Sequence, residues 1–279
     1  MAIASDFLEF AVRVATAAGE AILPLDRATI VVEDKGGARG YDPVTEADRA
    51  AEAVIRAEIA RAWPDHGVFG EEHGREPGTS RYTWVIDPID GTRSFILGQL
   101  HWATLIALHD GTRPILGVAH QPFVGESFVG AIDDASEWRR GGERRTLRTR
   151  RCAALSDAIV ATTDPRHFAD ARRRSAYRAA TDGARLARFG GDCYCYTQLA
   201  MGLTDIVIET GLQPYDVQAL IPLVEAAGGR ITDWRGGRCD DGGDVLACGD
   251  PALHAQLLAK IAAAASKSKR TGARGTPTP

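Results

Sequence analysis

The residues best equipped for chemistry in this chain are carboxylates placed at the ends of apolar runs. Glu71 and Glu72 follow Gly70, Asp87 and Asp90 flank Pro88 and Ile89 in WVIDPIDGTRSF (residues 84–95), and Asp216 stands where a loop with Pro214 meets a helix. Strand ends and loop edges let side chains from distant segments converge on one site, whereas carboxylates in mid-element mostly point to water. Hard divalent cations take oxygen ligands, and magnesium is commonly held by a few carboxylates together with substrate phosphate oxygens and water. The set suits magnesium. Asp, Pro and Gly also dominate tight turns, so any one of these positions alone could be a strand end and nothing more.

Other chemistries find less support. The seven histidines are scattered with no fixed spacing to a Ser or Cys motif, so no nucleophile–base pair stands out. Cys152, Cys193, Cys195, Cys239 and Cys248 form an odd set without C-x-x-C spacing, which favours reduced thiols over a disulfide framework or a zinc site. Trp84 and Trp234 read as core. The basic runs from Arg144-Arg145 to Arg150-Arg151 and from Arg172 to Arg174 read as solvated charge on loops or helix faces.

The elements that must position the carboxylates come in two rhythms. Phe7, Phe10, Val14, Ala18, Ala21 and Leu25 predict an amphipathic helix capped by Ser5. A second helix opens at Thr45-Glu46-Ala47-Asp48, an S/T-x-x-D/E capping box, buries Ala51, Val54, Ile55 and Ile59, and ends at Trp63-Pro64. Strand-like runs follow at 84–86, 103–108, 115–120 and 127–132, punctuated by Asp-Gly, Pro and Gly, and predict an antiparallel half. From Ile159 strands and helices alternate, with strands at 159–162, 205–209, 231–234 and 245–248 and helices after Gly191 and Pro214, which predicts an α/β half. Asp250-Pro251 opens a last helix ending near Ala264, and the small, basic residues 266–279 read as a disordered tail.

With 44% hydrophobic and 25% charged residues, the composition is that of a soluble globular protein. A net charge of −4 argues against nucleic acid as a partner, and no apolar run reads as a signal peptide or a membrane span. A cytoplasmic location is expected.

Taken together, GEE at 70–72, WVIDPIDGTRSF at 84–95 and PYD before LVEAAGGRITD resemble the inositol-monophosphatase-like, magnesium-dependent phosphatases, in matching order from Lys35 to about Cys248. The resemblance implies a layered αβαβα sandwich, with residues 1–145 an α+β half carrying most metal ligands and residues 146–265 an α/β half carrying substrate residues. It implies two or three magnesium ions held by Glu71, Asp87, the Ile89 carbonyl, Asp90 and Asp216, a phosphate monoester as substrate, and a homodimer. Glu71 and an Asp48–Thr92 hydrogen-bonded pair would orient the attacking water, and Lys35 resembles the family's loop lysine, though it could equally be a solvated lysine. Asp90, Gly91, Thr92 and Asp216 would then face the phosphate. Physically, Pro88 fixes its own φ and lacks an amide hydrogen, so the chain leaves the strand in a defined direction. Gly91 lets the backbone approach the phosphate, and amides at the following helix start favour an anion.

Substrate choice falls to the second half. Asp192 follows Gly190-Gly191 at a helix start and reads first as an N-cap, and Glu209 reads first as a solvated strand end. Two carboxylates facing the leaving group would suit a cationic alcohol, because a buried carboxylate needs a charged or hydrogen-bonding partner. The stretches GGDCYCY and GLQPYDVQALIPLVEAAGG resemble the histidinol-phosphate phosphatase branch, which implies that Asp192 and Glu209 contact the cationic end of histidinol, with Arg188 nearby. Inositol monophosphatases usually carry small residues at the Gly-Asp-Cys position and Trp-Asp where Tyr215-Asp216 stands. Alternatives are an inositol-1-phosphate or sugar-phosphate phosphatase, or a metal-binding regulatory protein on the same fold.

Overall fold

The computed structural model describes residues 2–28, 31–36 and 43–272. In chain order the first half contains α1 (Ala2–Ile22), β1 (Val32–Asp34), β2 (Pro43–Thr45), α2 (Glu46–Ala62), β3 (Gly67–Gly70), β4 (Gly74–Glu76), β5 (Thr83–Asp90), α3 (Thr92–Ile96), β6 (Ala103–His109), β7 (Pro114–Gln121), β8 (Glu126–Ala131), β9 (Glu137–Arg140) and β10 (Glu143–Thr146). The second half contains β11 (Ile159–Thr162), α4 (Ala171–Thr181), β12 (Leu186–Phe189), α5 (Cys193–Ala200), β13 (Ile206–Leu212), α6 (Pro214–Val217), α7 (Leu220–Ala226), β14 (Arg230–Asp233), β15 (Gly243–Cys248) and α8 (Pro251–Gly272).

These pack as five layers, the αβαβα sandwich expected. Helices α1 and α2 lie on the outer face of an eight-stranded sheet of order β10-β9-β8-β7-β6-β5-β3-β4. Helices α5 and α7 fill the middle, followed by a five-stranded sheet of order β12-β11-β13-β15-β14, and α4 with α8 cover the far face. Three apolar cores separate the layers. Strand β5 is buried on both faces: Trp84 and Ile86 enter the outer core and Val85 the middle one. Full burial of such side chains contributes about 1.5–3 kcal/mol each, which explains why this strand reads as an apolar run and not as an alternation.

The middle layer is thin where glycine makes it so. A Cβ on Gly117 of β7 would collide with the Ala219 carbonyl, and one on Gly130 of β8 would stand 2.5 Å from Leu223 Cα. Helix α7 therefore rests on bare sheet backbone.

Several expectations need correcting. Helix α1 starts at Ala2, so Ser5 lies inside it and does not cap it; Leu25 belongs to a 3-10 turn that follows. The first sheet is not wholly antiparallel, since β3 and β5 run parallel. The basic segment around Arg144-Arg145 forms the edge strand β10, where Arg145 lies 4.6 Å over the Trp138 ring. Nor are the basic runs simply solvated: Arg150 binds Asp205, and Arg172 and Arg173 bind Asp244. Helix α8 continues to Gly272, past Ala264 and into the segment expected to be disordered, because no Gly or Pro interrupts the Ala- and Lys-containing stretch before Gly272. The rest of that tail, 273–279, lies outside the described residues. All five cysteines are free and buried, and Trp84 and Trp234 are core as expected. Among the described residues no helix is long and apolar enough to cross a membrane.

Candidate active site

Two carboxylates three positions apart on a regular strand point to opposite faces. Asp87 and Asp90 escape that rule because the ladder between β5 and β6 is irregular between them. Ile89 drops into the outer core beside Ile86, which turns Asp90 to the same side as Asp87. Pro88 contributes no donor to the ladder, its carbonyl accepts from Thr104 Oγ1 at 2.8 Å, and the Ile89 amide donates to Asp87 Oδ1 at 3.1 Å. The proline thus sits within a bulged strand that runs on to Asp90 and does not end it.

Asp216 arrives from the other half. It stands in the first turn of α6, where its Oδ2 accepts from the Gln213 amide at 2.8 Å in a capping box, with Pro214 opening the helix. Oxygen atoms of Asp87, Asp90 and Asp216 lie within 4.8 Å of one another. Burial, reinforced by Glu71, Asp90 and Asp216, pushes the Asp87 carboxyl well above the usual carboxylate range. Burial does the same to Asp90, with Asp192 and Asp216 adding to it, while the Cys193 amide, 2.7 Å from Asp90 Oδ2, opposes the rise. Three crowded, hard oxygen donors repel one another as anions, and a divalent ion is a partner whose chemistry fits them.

Glu71 lines the same cleft, on the turn after β3. Its Oε1 accepts from Lys35 Nζ at 2.8 Å, and Lys35 also reaches Glu72 Oε1 at 2.9 Å. Lys35 is therefore an ion-pair partner of the Gly-Glu-Glu turn and not a solvated lysine.

The cleft, of about 280 Å³, is the size of a small molecule; both halves of the chain line it. Ile89, Gly91, Thr92, Asp192 and Glu209 share its wall with the carboxylates. Gly91 adopts φ +90°, and an added Cβ would lie 2.5 Å from the His101 carbonyl oxygen. Glycine is demanded here by the left-handed turn and the close packing of the His101 backbone. Asp192 also has positive φ, at 43°, and its side chain does not cap α5; it accepts from Ser94 Oγ at 3.1 Å. Glu209 is no solvated strand end. Its side chain is buried, Oε1 accepts from the Thr163 amide at 2.5 Å, and burial pushes its carboxyl up to about 8.

Two expected features are absent or displaced. Asp48 Oδ2 accepts from the Thr45 amide at 2.8 Å and the Thr45 hydroxyl at 2.6 Å, and burial raises it to about 7. Thr92 Oγ1 donates to the Ile89 carbonyl at 3.0 Å, so the Asp48–Thr92 hydrogen bond is not among those formed by the described residues. Each group instead takes the acceptor or donor that its own turn places three residues away. Arg188 lies exposed on the edge strand β12, outside the cleft lining. Conversely, Arg93, Thr163 and His167 line the cleft although the sequence gives them no site role, Tyr215 lines it beyond marking the departure from Trp, and Arg93 Nη1 sits 3.2 Å from His167 Nε2. Arg93 and Tyr215 adjoin Thr92 and Asp216 in sequence, a signal that was available; Thr163 and His167 reach the site only through the packing of the second sheet.

The inositol monophosphatase family model matches residues 4–270. The chain belongs to the inositol monophosphatase family. It is 39% identical over 258 residues to the bifunctional phosphatase IMPL2, chloroplastic, of Arabidopsis thaliana, covering 88% of this chain and 72% of that protein. It is 34% identical over 255 residues to a histidinol-phosphatase of Chlorobaculum parvum, covering 91% and 96%. Among solved structures, an inositol monophosphatase from Zymomonas mobilis superposes with a TM-score of 0.81 at 38% identity, covering 92% of this chain and 98% of that one. The family is metal-dependent, generally on magnesium, and its chemistry is phosphoric monoester hydrolysis. Among the described residues, Asp87, Asp90 and Asp216 form an acidic cluster whose spacing could hold a metal ion.

Proposed function

We propose that this family member hydrolyses L-histidinol phosphate to L-histidinol and phosphate, using two or three magnesium ions. The observation that carries the substrate reading is the pair Asp192 and Glu209, a half-buried and a buried carboxylate on the cleft wall beside the three-aspartate cluster, both pushed upward by desolvation. Holding such groups out of water is unfavourable unless a cation or hydrogen-bond donors arrive. Histidinol presents an ammonium and an imidazole. The 34% identical histidinol-phosphatase lends support.

Asp87, Asp90 and Asp216, with Glu71 and the Ile89 carbonyl, would hold the metal. Bound magnesium supplies charge neutralisation for the phosphate and for the leaving oxygen. Asp48 and Thr92 would orient the attacking water, for which the Thr92 hydroxyl would turn from the Ile89 carbonyl toward Asp48. Asp48, raised to about 7 by burial, is suited to holding a proton near neutral pH on Oδ1, since Oδ2 accepts from the Thr45 amide and hydroxyl. Gly91 and Thr92 border the phosphate position. Arg188, exposed at a sheet edge, stands outside the cleft lining and makes no substrate contact in this reading.

The second reading, an inositol or sugar phosphatase, is favoured by the 38% identical inositol monophosphatase. Phosphate release from histidinol phosphate, inositol 1-phosphate and fructose 1,6-bisphosphate, with and without magnesium, separates them. Histidinol phosphate should give the highest kcat/KM. Faster turnover of inositol 1-phosphate overturns the substrate reading, and no magnesium-dependent turnover of any ester leaves a metal-binding regulatory protein. A homodimer is also proposed, and sedimentation showing only monomer at micromolar concentration would remove it.

A further inference from the structure

The Gly-Glu-Glu turn presents a backbone accounting problem. The chain leaves β3 at Gly70 and re-enters β4 at Gly74; the Glu71 amide still donates to the Ile86 carbonyl of β5 at 3.3 Å, but the Glu72 and His73 amides have no ladder partner. Glu52, on α2, supplies the acceptors. Its Oε2 accepts from the Glu72 amide at 2.8 Å and its Oε1 from the His73 amide at 3.1 Å, and its side chain is wholly buried. Arg56, one turn on, donates from Nε to Glu52 Oε1 at 2.8 Å and from Nη2 to the Gly74 carbonyl at 2.6 Å. His73 Nδ1 lies 3.3 Å from the same Oε1.

The glycine of the motif follows from this arrangement. A Cβ on Gly70 would collide with the Glu52 carboxylate. Along α2, Asp48, Glu52 and Arg56 recur at four-residue spacing and so share one face. That face meets the turn carrying Glu71, yet Glu52 itself does not line the cleft. A buried ion pair is weak evidence for stability, since apolar groups of similar volume often serve as well or better. What a carboxylate gripping two successive amides does supply is a fixed direction for the residues of that turn.

We propose that Glu52 is a positioning residue, which by holding the Glu72 and His73 amides aims the Glu71 carboxylate at the Asp87–Asp90–Asp216 cluster. This rests on the metal-dependent reading above. Residues that orient metal ligands from behind typically matter by 10- to 100-fold in affinity.

Glu52→Gln tests it. Glutamine keeps the volume, but its NH2 faces one of the two amide donors, so only one remains satisfied. Magnesium binding to chelator-treated protein is measured by calorimetry for the native chain, Glu52→Gln and Glu71→Gln, alongside thermal melts. Glu52→Gln should bind magnesium about tenfold more weakly, raise the magnesium concentration for half-maximal turnover by the same factor, and keep kcat at saturating magnesium. Unchanged magnesium affinity, whatever the melting temperature, overturns the proposal and leaves Glu52 a role in the fold alone. If the native chain and Glu71→Gln bind magnesium equally, the ligand reading of Glu71 has failed first and the proposal falls with it. Should Glu52→Gln not fold, Arg56→Gln takes its place, since it frees the Glu52 carboxylate without removing it: weaker magnesium binding sustains the proposal and unchanged binding overturns it.

Discussion

Glu209→Gln should make the metal-free protein more stable, and only above a definite pH. The Glu209 carboxyl is raised from 4.5 to about 8 by burial. Below pH 4.5 both the folded and unfolded chains hold the proton. Between the two values the folded chain keeps a proton that the unfolded chain has released, so stability falls as pH rises, by about 1.4 kcal/mol per unit. At pH 7 the accumulated loss is about 3 kcal/mol, and it levels off above pH 8. Glutamine has no such titration, and its Oε1 can still accept from the Thr163 amide. At roughly 2–4 °C per kcal/mol for a chain of this size, the variant should melt about 6–12 °C higher than the native protein at pH 7. Near pH 5 the two should differ little. Thermal melts in chelator from pH 5 to 8 decide it. Parallel curves, or a less stable variant at pH 7, would show that burial does not raise the Glu209 carboxyl as described above.

Asp90→Asn should reduce turnover by orders of magnitude with unchanged far-ultraviolet circular dichroism, and should raise the melting temperature in chelator because it relieves the crowding of like charge; near-native activity would contradict the cluster's role. Thr92→Ala should lower kcat with little effect on calorimetric magnesium affinity, whereas equal losses in both would place Thr92 among the metal's supports. Gly91→Ala forces a side chain into φ +90° and against the His101 carbonyl. It should lower stability by about 2 kcal/mol or more, read as a lower urea midpoint, and an unchanged midpoint would refute the packing account of that glycine.

What was legible in the sequence was local. The capping box at Thr45–Asp48, the apolar run of β5 and the order of the acidic motifs rest on neighbours within a few residues, and each sits where its pattern implied. Strands β9, β10 and β12 were not legible: Glu-Trp-Arg-Arg, Glu-Arg-Arg-Thr and Leu-Ala-Arg-Phe carry no clean alternation, and edge position lets them remain charged or exposed. Asp192 and Glu209 show the same limit at the site. Their hydrogen-bonding partners, Ser94 and Thr163, lie 98 and 46 residues away, so nothing in the surrounding sequence distinguishes an acid gripped from a distant segment from an N-cap or a solvated strand end. Glu52 carries no local signal, because the amides it serves belong to a turn 20 and 21 residues on.

The bare backbone at Gly117 and Gly130 gives the molecule a narrow mechanical tolerance. Helix α7 is seated by the absence of two methyl groups, and Asp216 lies four residues before α7 begins, while Asp87 and Asp90 are anchored in the sheet beneath. A methyl added at either glycine would lift the helix and carry one jaw of the acidic cluster away from the other two. In a genetic screen such a change would pass for loss of a reacting group, although every reacting group would still be present. Alignment between the halves is thus inherited through positions that touch neither metal nor substrate.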